Sequence, residues 1–190
     1  MANIVPGPSD ALIVVDVQRD FLPSGALGVP HGDEVVAPLN AAMDAFERAG
    51  RPVFASRDWH APDHCSFKAQ GGPWPPHCVA NTPGARFAEG LQLPRSAIVV
   101  SKAESADADS YSAFGGTDLA QQLERKGVRR VFVGGLATDY CVLNTVLDAL
   151  AAGFEVVVLG DAVRAVEVSP GDGERAIAKM KQAGAHLQSP

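Results

Sequence analysis

A chain of 190 residues, 46% hydrophobic and 20% charged, fits one soluble domain with material for a sizeable core. The formal net charge of -6 and the lack of a Lys/Arg cluster exclude nucleic acid and anionic membranes as expected partners. No run is apolar enough to span a bilayer, and Met1 to Asp10 lack the basic start and apolar stretch of a signal peptide, so the expectation is a cytoplasmic protein.

The first β-branched run is Ala11–Val17, followed by a helical pattern over Asp33–Ala49. There Val35, Val36, Leu39, Met43 and Phe46 share a face, and Pro38 falls early enough to be tolerated. Further strands are predicted at Pro52–Ser56, Ala97–Ser101, Arg130–Val133 and Glu155–Leu159, with a weaker one at His186–Gln188. Asp118–Lys126 reads as a helix with Thr117 as N-cap and Gly127 as its stop. A helix runs from Thr138 to Ala152 before Gly153, and another from Pro170 to Ala183, capped by Ser169 and stopped by Gly184. Lys126, Arg129 and Arg130 read as a solvated helix end. Near-continuous apolar strands alternating with helices predict a three-layer α/β/α sandwich around a mostly parallel sheet of about six strands. A single domain over residues 1–190 is expected, without internal repeats.

Two segments break the alternation. Arg57 to Leu93 is rich in Pro, Gly, His and Trp, and Ala103 to Gly116 carries Asp, Ser and Tyr. Loops of this length in a compact domain are usually functional. Both follow strands, which places them at the carboxyl edge of the sheet, where open α/β folds bind ligands.

Three strand ends deliver reactive groups: Asp16 after the first strand, Lys102 after the third, and Cys141 beyond the fourth, where a helix begins. Singly, such residues read as a turn former, a surface cation and a core thiol. Meeting at one edge, they read as base, electrostatic stabiliser and nucleophile. The helix N-terminus and Lys102 are expected to favour a Cys141 thiolate, and the Ala137 and Cys141 amides to face a developing oxyanion. Three cysteines, Cys65, Cys78 and Cys141, are too few and odd in number for a disulfide framework, and no CxxC pair suggests a zinc knuckle. Asp58-Trp59-His60, with His64 and His77 later in the loop, offers a carboxylate and imidazoles on one side of extended chain. Such a set suits a divalent metal such as zinc, iron or manganese. His31 and His186 belong to no cluster. Among Phe21, Trp59, Phe67, Trp74 and Tyr111, one or two are placed to sandwich a flat ring.

These segments together resemble the nicotinamidase branch of the isochorismatase-like cysteine hydrolases along nearly the whole chain. The matching motifs are Val15-Asp16-Val17-Gln18-Arg19-Asp20-Phe21, then Asp58-Trp59-His60-Ala61-Pro62-Asp63-His64-Cys65-Ser66-Phe67. Trp74-Pro75-Pro76-His77-Cys78-Val79, Lys102, Asp109-Ser110-Tyr111-Ser112-Ala113-Phe114 and Gly135-Leu136-Ala137-Thr138-Asp139-Tyr140-Cys141-Val142 complete the set. No one motif is decisive; their order, spacing and number make the likeness strong.

The resemblance implies Asp16, Lys102 and Cys141 as a catalytic triad, and Asp58, His60 and His77 as ligands of one divalent metal, zinc first, with iron or manganese as alternatives. It implies a cis peptide at Leu136–Ala137, an oxyanion hole from the Ala137 and Cys141 amides, and ring contacts from Phe21, Trp74 and Tyr111. His64 is expected beside the metal, anchoring water, rather than on it. The implied reaction is hydrolysis of a small amide, nicotinamide, to nicotinate and ammonia through a cysteine thioester, in NAD salvage. Rival readings are a related amidohydrolase with a different small amide and a metal- or ligand-binding module without turnover. A homo-oligomer is left open.

Overall fold

The protein was analysed as a computed structural model that describes residues 4–188. Residues 1–3 of the segment read for a leader lie outside the described residues, as do 189–190. Six strands, β1 (Asp10–Val15), β2 (Val53–Asp58), β3 (Ile98–Lys102), β4 (Arg130–Leu136), β5 (Glu155–Arg164) and β6 (His186–Gln188), form one sheet. All pairings are parallel and the order is β3-β2-β1-β4-β5-β6. Four helices flank it: α1 (Val36–Arg48), α2 (Leu119–Arg125), α3 (Leu143–Ala151) and α4 (Asp172–Gln182).

Strand β1 shows why the chain takes this form. Every residue of it is buried, and its side chains alternate between two separate cores. Ala11, Ile13 and Val15 pack with Leu119 and Leu123 of α2, Val146 and Ala149 of α3, and Met180 of α4. Leu12 and Val14 pack on the opposite face with Leu39, Ala42, Met43 and Phe46 of α1. A strand with an apolar face on each side is stable only between two helical layers, which is the three-layer arrangement predicted from the sequence. Among the described residues, no helix is long and apolar enough to cross a membrane.

Several boundaries differ from the sequence reading. Helix α1 begins at Val36 rather than Asp33, because residues 32–35 form a tighter 3₁₀ turn. Strand β5 continues past Leu159 to Arg164, since Val163 and Arg164 pair with Gly135 and Leu136 of an equally extended β4. The Thr138–Ala152 helix opens with a π-helical turn over Thr138–Val142. Helix α4 starts at Asp172, and Ser169 does not cap it; its amide donates to Asp172 instead. The Glu167 carboxylate accepts from the Gly171 and Gly173 amides (2.7 and 2.9 Å) and supplies the anion that the helix start needs. Arg130 is not merely solvated: its guanidinium forms a two-pronged pair with buried Asp10 (2.9 and 2.7 Å) at the amino edge of the sheet.

Gly135 permits the close approach of β1 and β4. Its φ of +132° disfavours any L side chain, and a Cβ there would stand 2.0 Å from the Val15 carbonyl oxygen. The Gly135→Ala variant is therefore expected to lose more than about 3 kcal/mol, from backbone strain plus clash. A urea midpoint within experimental error of wild type would show that the two strands can separate at no cost.

Candidate active site

The order of the sheet reverses between β1 and β4, so the chains leaving their carboxyl ends diverge and open a crevice. Each predicted reactive residue stands at such an end. Asp16 follows β1 in a left-handed conformation (φ 48°), which ends the strand and turns its carboxylate inward. Asp58 and Lys102 close β2 and β3 and are paired in register. Cys141 sits in the π turn beyond β4.

The side chains meet. Lys102 Nζ lies 3.1 Å from Asp16 Oδ2 and 3.7 Å from Cys141 Sγ, donates to the Ser110 carbonyl at 3.0 Å, and forms a very short contact with Asp58. Asp16 Oδ1 accepts from the Ser56 hydroxyl at 2.7 Å. Asp16 Oδ2 faces the ammonium as an ion pair but has no aligned hydrogen bond to it. Carboxylate oxygens of Asp16 and Asp58 and the Cys141 sulfur lie within 4.8 Å of one another.

One cation thus serves two carboxylates, and it does so unequally. Burial pushes the Asp58 carboxyl up, yet Lys102 and His60 together hold it well below the usual carboxylate range. Asp16 shifts the other way: burial and the Asp58 charge outweigh Lys102 and raise it. Lys102 is disfavoured as a cation by burial, but its anionic neighbours hold it protonated. Cys141 corrects the expectation of a thiolate. Burial raises the thiol well above its ordinary value, Lys102 opposes this, and the charges of Asp16 and Asp58 add to the rise. The sequence reading counted the ammonium but not the two carboxylates that share it.

Beside this cluster, donor atoms of Asp58, His60 and His77 also lie within 4.8 Å of one another, and all three residues are buried. His60 Nδ1 faces the Ala103 carbonyl (3.2 Å) and His77 Nδ1 the Pro75 carbonyl (2.8 Å). A carbonyl only accepts, so each Nδ1 carries a proton, which leaves Nε2 as the nitrogen each ring can offer to a metal. Burial further lowers the basicity of His77. One carboxylate and two imidazole Nε2 atoms suit a divalent metal of the zinc type, with positions left for other ligands. His64 is placed differently. Its Nδ1 accepts from Ser66 and its Nε2 faces the Ala108 carbonyl (3.2 Å), so neither nitrogen offers a free lone pair.

Over both groups lies a cavity walled by Phe21, Leu27, Val29, Trp74, Tyr111, Ala137, Tyr140 and Val166, with Asp58, His77 and Cys141 also facing it. The Trp74 indole donates to the Tyr111 hydroxyl at 3.0 Å, and Tyr140 packs edge-on against both rings. The Leu136–Ala137 peptide is cis. Sequence reasoning missed Tyr140, although it adjoins Cys141, and missed Ser56, Leu27, Val29 and Val166. The last three come from loops that carry no chemical signal of their own.

A parallel sheet with a buried Asp–Lys–Cys cluster at its switch point defines an α/β protein built around a thiol. The isochorismatase domain matches residues 10–189, and the chain belongs to the isochorismatase family. It is 40% identical to a nicotinamidase of Escherichia coli, over 95% of this chain and 94% of the relative. Its fold is similar to that of a pyrazinamidase of Pyrococcus horikoshii solved in complex with zinc (TM-score 0.92, 50% identity, covering 96% of this chain and all of that one). It is also similar to PnC1 from L. infantum solved in complex with nicotinate (TM-score 0.90, 40% identity, covering 100% and 96%).

The raised Asp16 carboxyl carries a stability consequence. Its folded value lies above its unfolded one, so ionisation above about pH 3.8 works against folding. The stability of Asp16→Asn relative to wild type should therefore improve as pH rises from below 3.8 toward 7, whatever its offset from losing a partner of Lys102. A melting-temperature difference that stays constant or shifts in favour of wild type over that range would show that the Asp16 carboxyl is not raised in the folded protein.

Proposed function

We propose that this protein is an amidohydrolase that converts nicotinamide to nicotinate and ammonia, a step of NAD salvage in the cytoplasm, within a single isochorismatase-like domain. The observation that carries this reading is the position of Lys102 Nζ, which touches Asp16, Asp58 and Cys141 and so joins the thiol to the metal-type cluster under one apolar cavity. Relatives named nicotinamidase, and neighbours solved with nicotinate and with zinc, support the assignment.

Asp16 acts as the base. Its carboxylate takes the proton from Cys141, and the sulfur attacks the carboxamide carbon. The Ala137 and Cys141 amides receive the oxyanion, each worth about 3 kcal/mol in such sites. Asp16 returns the proton to the departing nitrogen, the C–N bond breaks, and ammonia leaves a thioester on Cys141. Asp16 then takes a proton from water, whose oxygen displaces the sulfur to give the acid and restore the thiol. Lys102 keeps Asp16 oriented and compensates negative charge through each step.

Asp58, His60 and His77 would hold the metal, zinc by their chemistry, with iron or manganese as alternatives. Bound there, it would accept the pyridine nitrogen and fix the ring. Phe21, Trp74 and Tyr111 supply the walls against which a flat ring packs.

Ammonia release from nicotinamide tests the assignment. Cys141→Ala should abolish it with circular dichroism and metal content unchanged, and Asp16→Asn should cut kcat at least about a hundredfold. Substantial release by Cys141→Ala would remove the thiol from the reaction. Benzamide keeps the ring and carboxamide but lacks the ring nitrogen. Its kcat/KM should be at least about a hundredfold below that of nicotinamide, since loss of orientation costs several kcal/mol. Comparable values for the two amides would show that nothing in the site reads the ring nitrogen.

A further inference from the structure

Gln18 is wholly buried, and the mechanism above does not use it. Its side-chain amide is fully engaged. Nε2 donates to the Asp58 carbonyl (2.8 Å) and to the Ala85 carbonyl (2.9 Å), and Oε1 accepts from the Asp58 backbone amide (2.8 Å). Both donors and the acceptor meet complementary partners, so the amide has a single workable orientation. Two of its three bonds go to the backbone of one residue.

The reason lies in where β1 ends. Strands β1 and β2 pair in parallel as far as Val14 and Ala55, and the Asp16 amide still reaches the Ser56 carbonyl (3.2 Å). At Asp16 the chain turns left-handed and leaves the sheet. Strand β2 runs on to Asp58, whose other neighbour, Lys102, continues in β3. Without a partner on the β1 side, the Asp58 amide and carbonyl would be buried and unbonded, at an appreciable cost. The Gln18 side chain supplies that partner, acting as one more rung of the ladder after the β1 backbone has gone.

We propose that Gln18 is a positioning residue for the metal site. It fixes the Asp58 main chain so that one side-chain oxygen faces Lys102 while the other faces His60 Nε2, at 3.6 Å. This rests on Asp58 being a metal ligand, as proposed above. A ligand held by rigid outer contacts binds metal more tightly, and removing such contacts weakens binding by about 10- to 100-fold in comparable sites.

The test uses full-length protein loaded with Co²⁺, whose visible bands report ligand geometry, and EDTA-driven metal loss at neutral pH. Asp58→Ala should abolish tight Co²⁺ binding; if it does not, the ligand assignment fails and Gln18 is not at issue. Given that result, Gln18→Met, which keeps length and volume but bonds neither carbonyl nor amide, should lose Co²⁺ at least about tenfold faster and show altered bands. Thr145→Val serves as the comparison for general destabilisation, because Thr145 accepts a buried bond from the Ala113 amide on the other face of the sheet (3.0 Å). It should melt lower yet keep the wild-type bands and loss rate. Wild-type bands and loss rate in Gln18→Met, or the same acceleration in Thr145→Val, would overturn the proposal. Should Gln18→Met not fold, amide hydrogen exchange on the wild type still decides. The Asp58 amide should be protected as strongly as that of Ala55, and fast exchange at Asp58 would show that the clasp is not held in solution.

Discussion

Lys102 Nζ is entirely removed from water, and an ammonium in that position persists only where opposite charge and hydrogen-bond acceptors surround it. It finds Asp16, Asp58, the Ser110 carbonyl and the Cys141 sulfur, which come from β1, β2, the loop after β3, and the turn after β4. The requirement of one buried cation thus gathers groups from across the centre of the sheet. A hydrophobic replacement would relieve the desolvation cost but strand two carboxylates, so neither half of the arrangement can be removed alone.

The backbone around this cation is shaped for the same end. Three non-glycine residues at the site adopt left-handed φ: Asp16 (48°), Cys78 (47°) and Ala103 (51°). Each stands at a point where the chain leaves a regular path beside a reactive group. Asp16 turns the proposed base inward, Ala103 turns its carbonyl to meet His60, and Cys78 follows His77 while its amide binds Asp20 (2.8 Å). Such conformations carry a local cost and survive where the surroundings over-determine them. Here the surroundings are the two cores, which lock the strands from both faces.

That division explains what could be read from the residues alone. The centres of the strands were legible because burial on both faces demands continuous apolar runs, as in Ala11–Val15. Their ends were not, because they depend on tertiary partners. Strand β5 passes through Gly160 and Asp161, which local preference would end, since β4 offers it a partner as far as Leu136. The start of α4 depends on Glu167, a residue five positions before the helix that no local cap rule selects. In the site, Asp16, Lys102 and Cys141 were legible because a carboxylate, an ammonium and a thiol converge on one edge of the sheet, although each alone reads as ordinary. The protonation of Cys141 was not, since its sign follows from how one ammonium is divided between two carboxylates, a matter of ångströms rather than order along the chain.

The raised basicity of both Asp16 and Cys141 is compatible with the thiol serving as nucleophile, because the relevant step moves a proton between them rather than out to solvent. Burial penalises either anion, so it weighs on the initial and final states of the transfer together. With Lys102 and Asp58 unchanged, the cluster carries the same net charge whether the proton sits on sulfur or on carboxylate. The pair therefore behaves as one titrating unit that loses a proton to water only with difficulty but can pass it internally at much lower cost. Before attack the sulfur remains a neutral, buried thiol. A carbonyl carbon held above it would make the transfer worthwhile, since the charge leaving Asp16 then passes through sulfur to an oxyanion facing backbone amides. The Asp58 charge thus makes Asp16 a stronger base toward the thiol, and Lys102 is what allows that base to be buried.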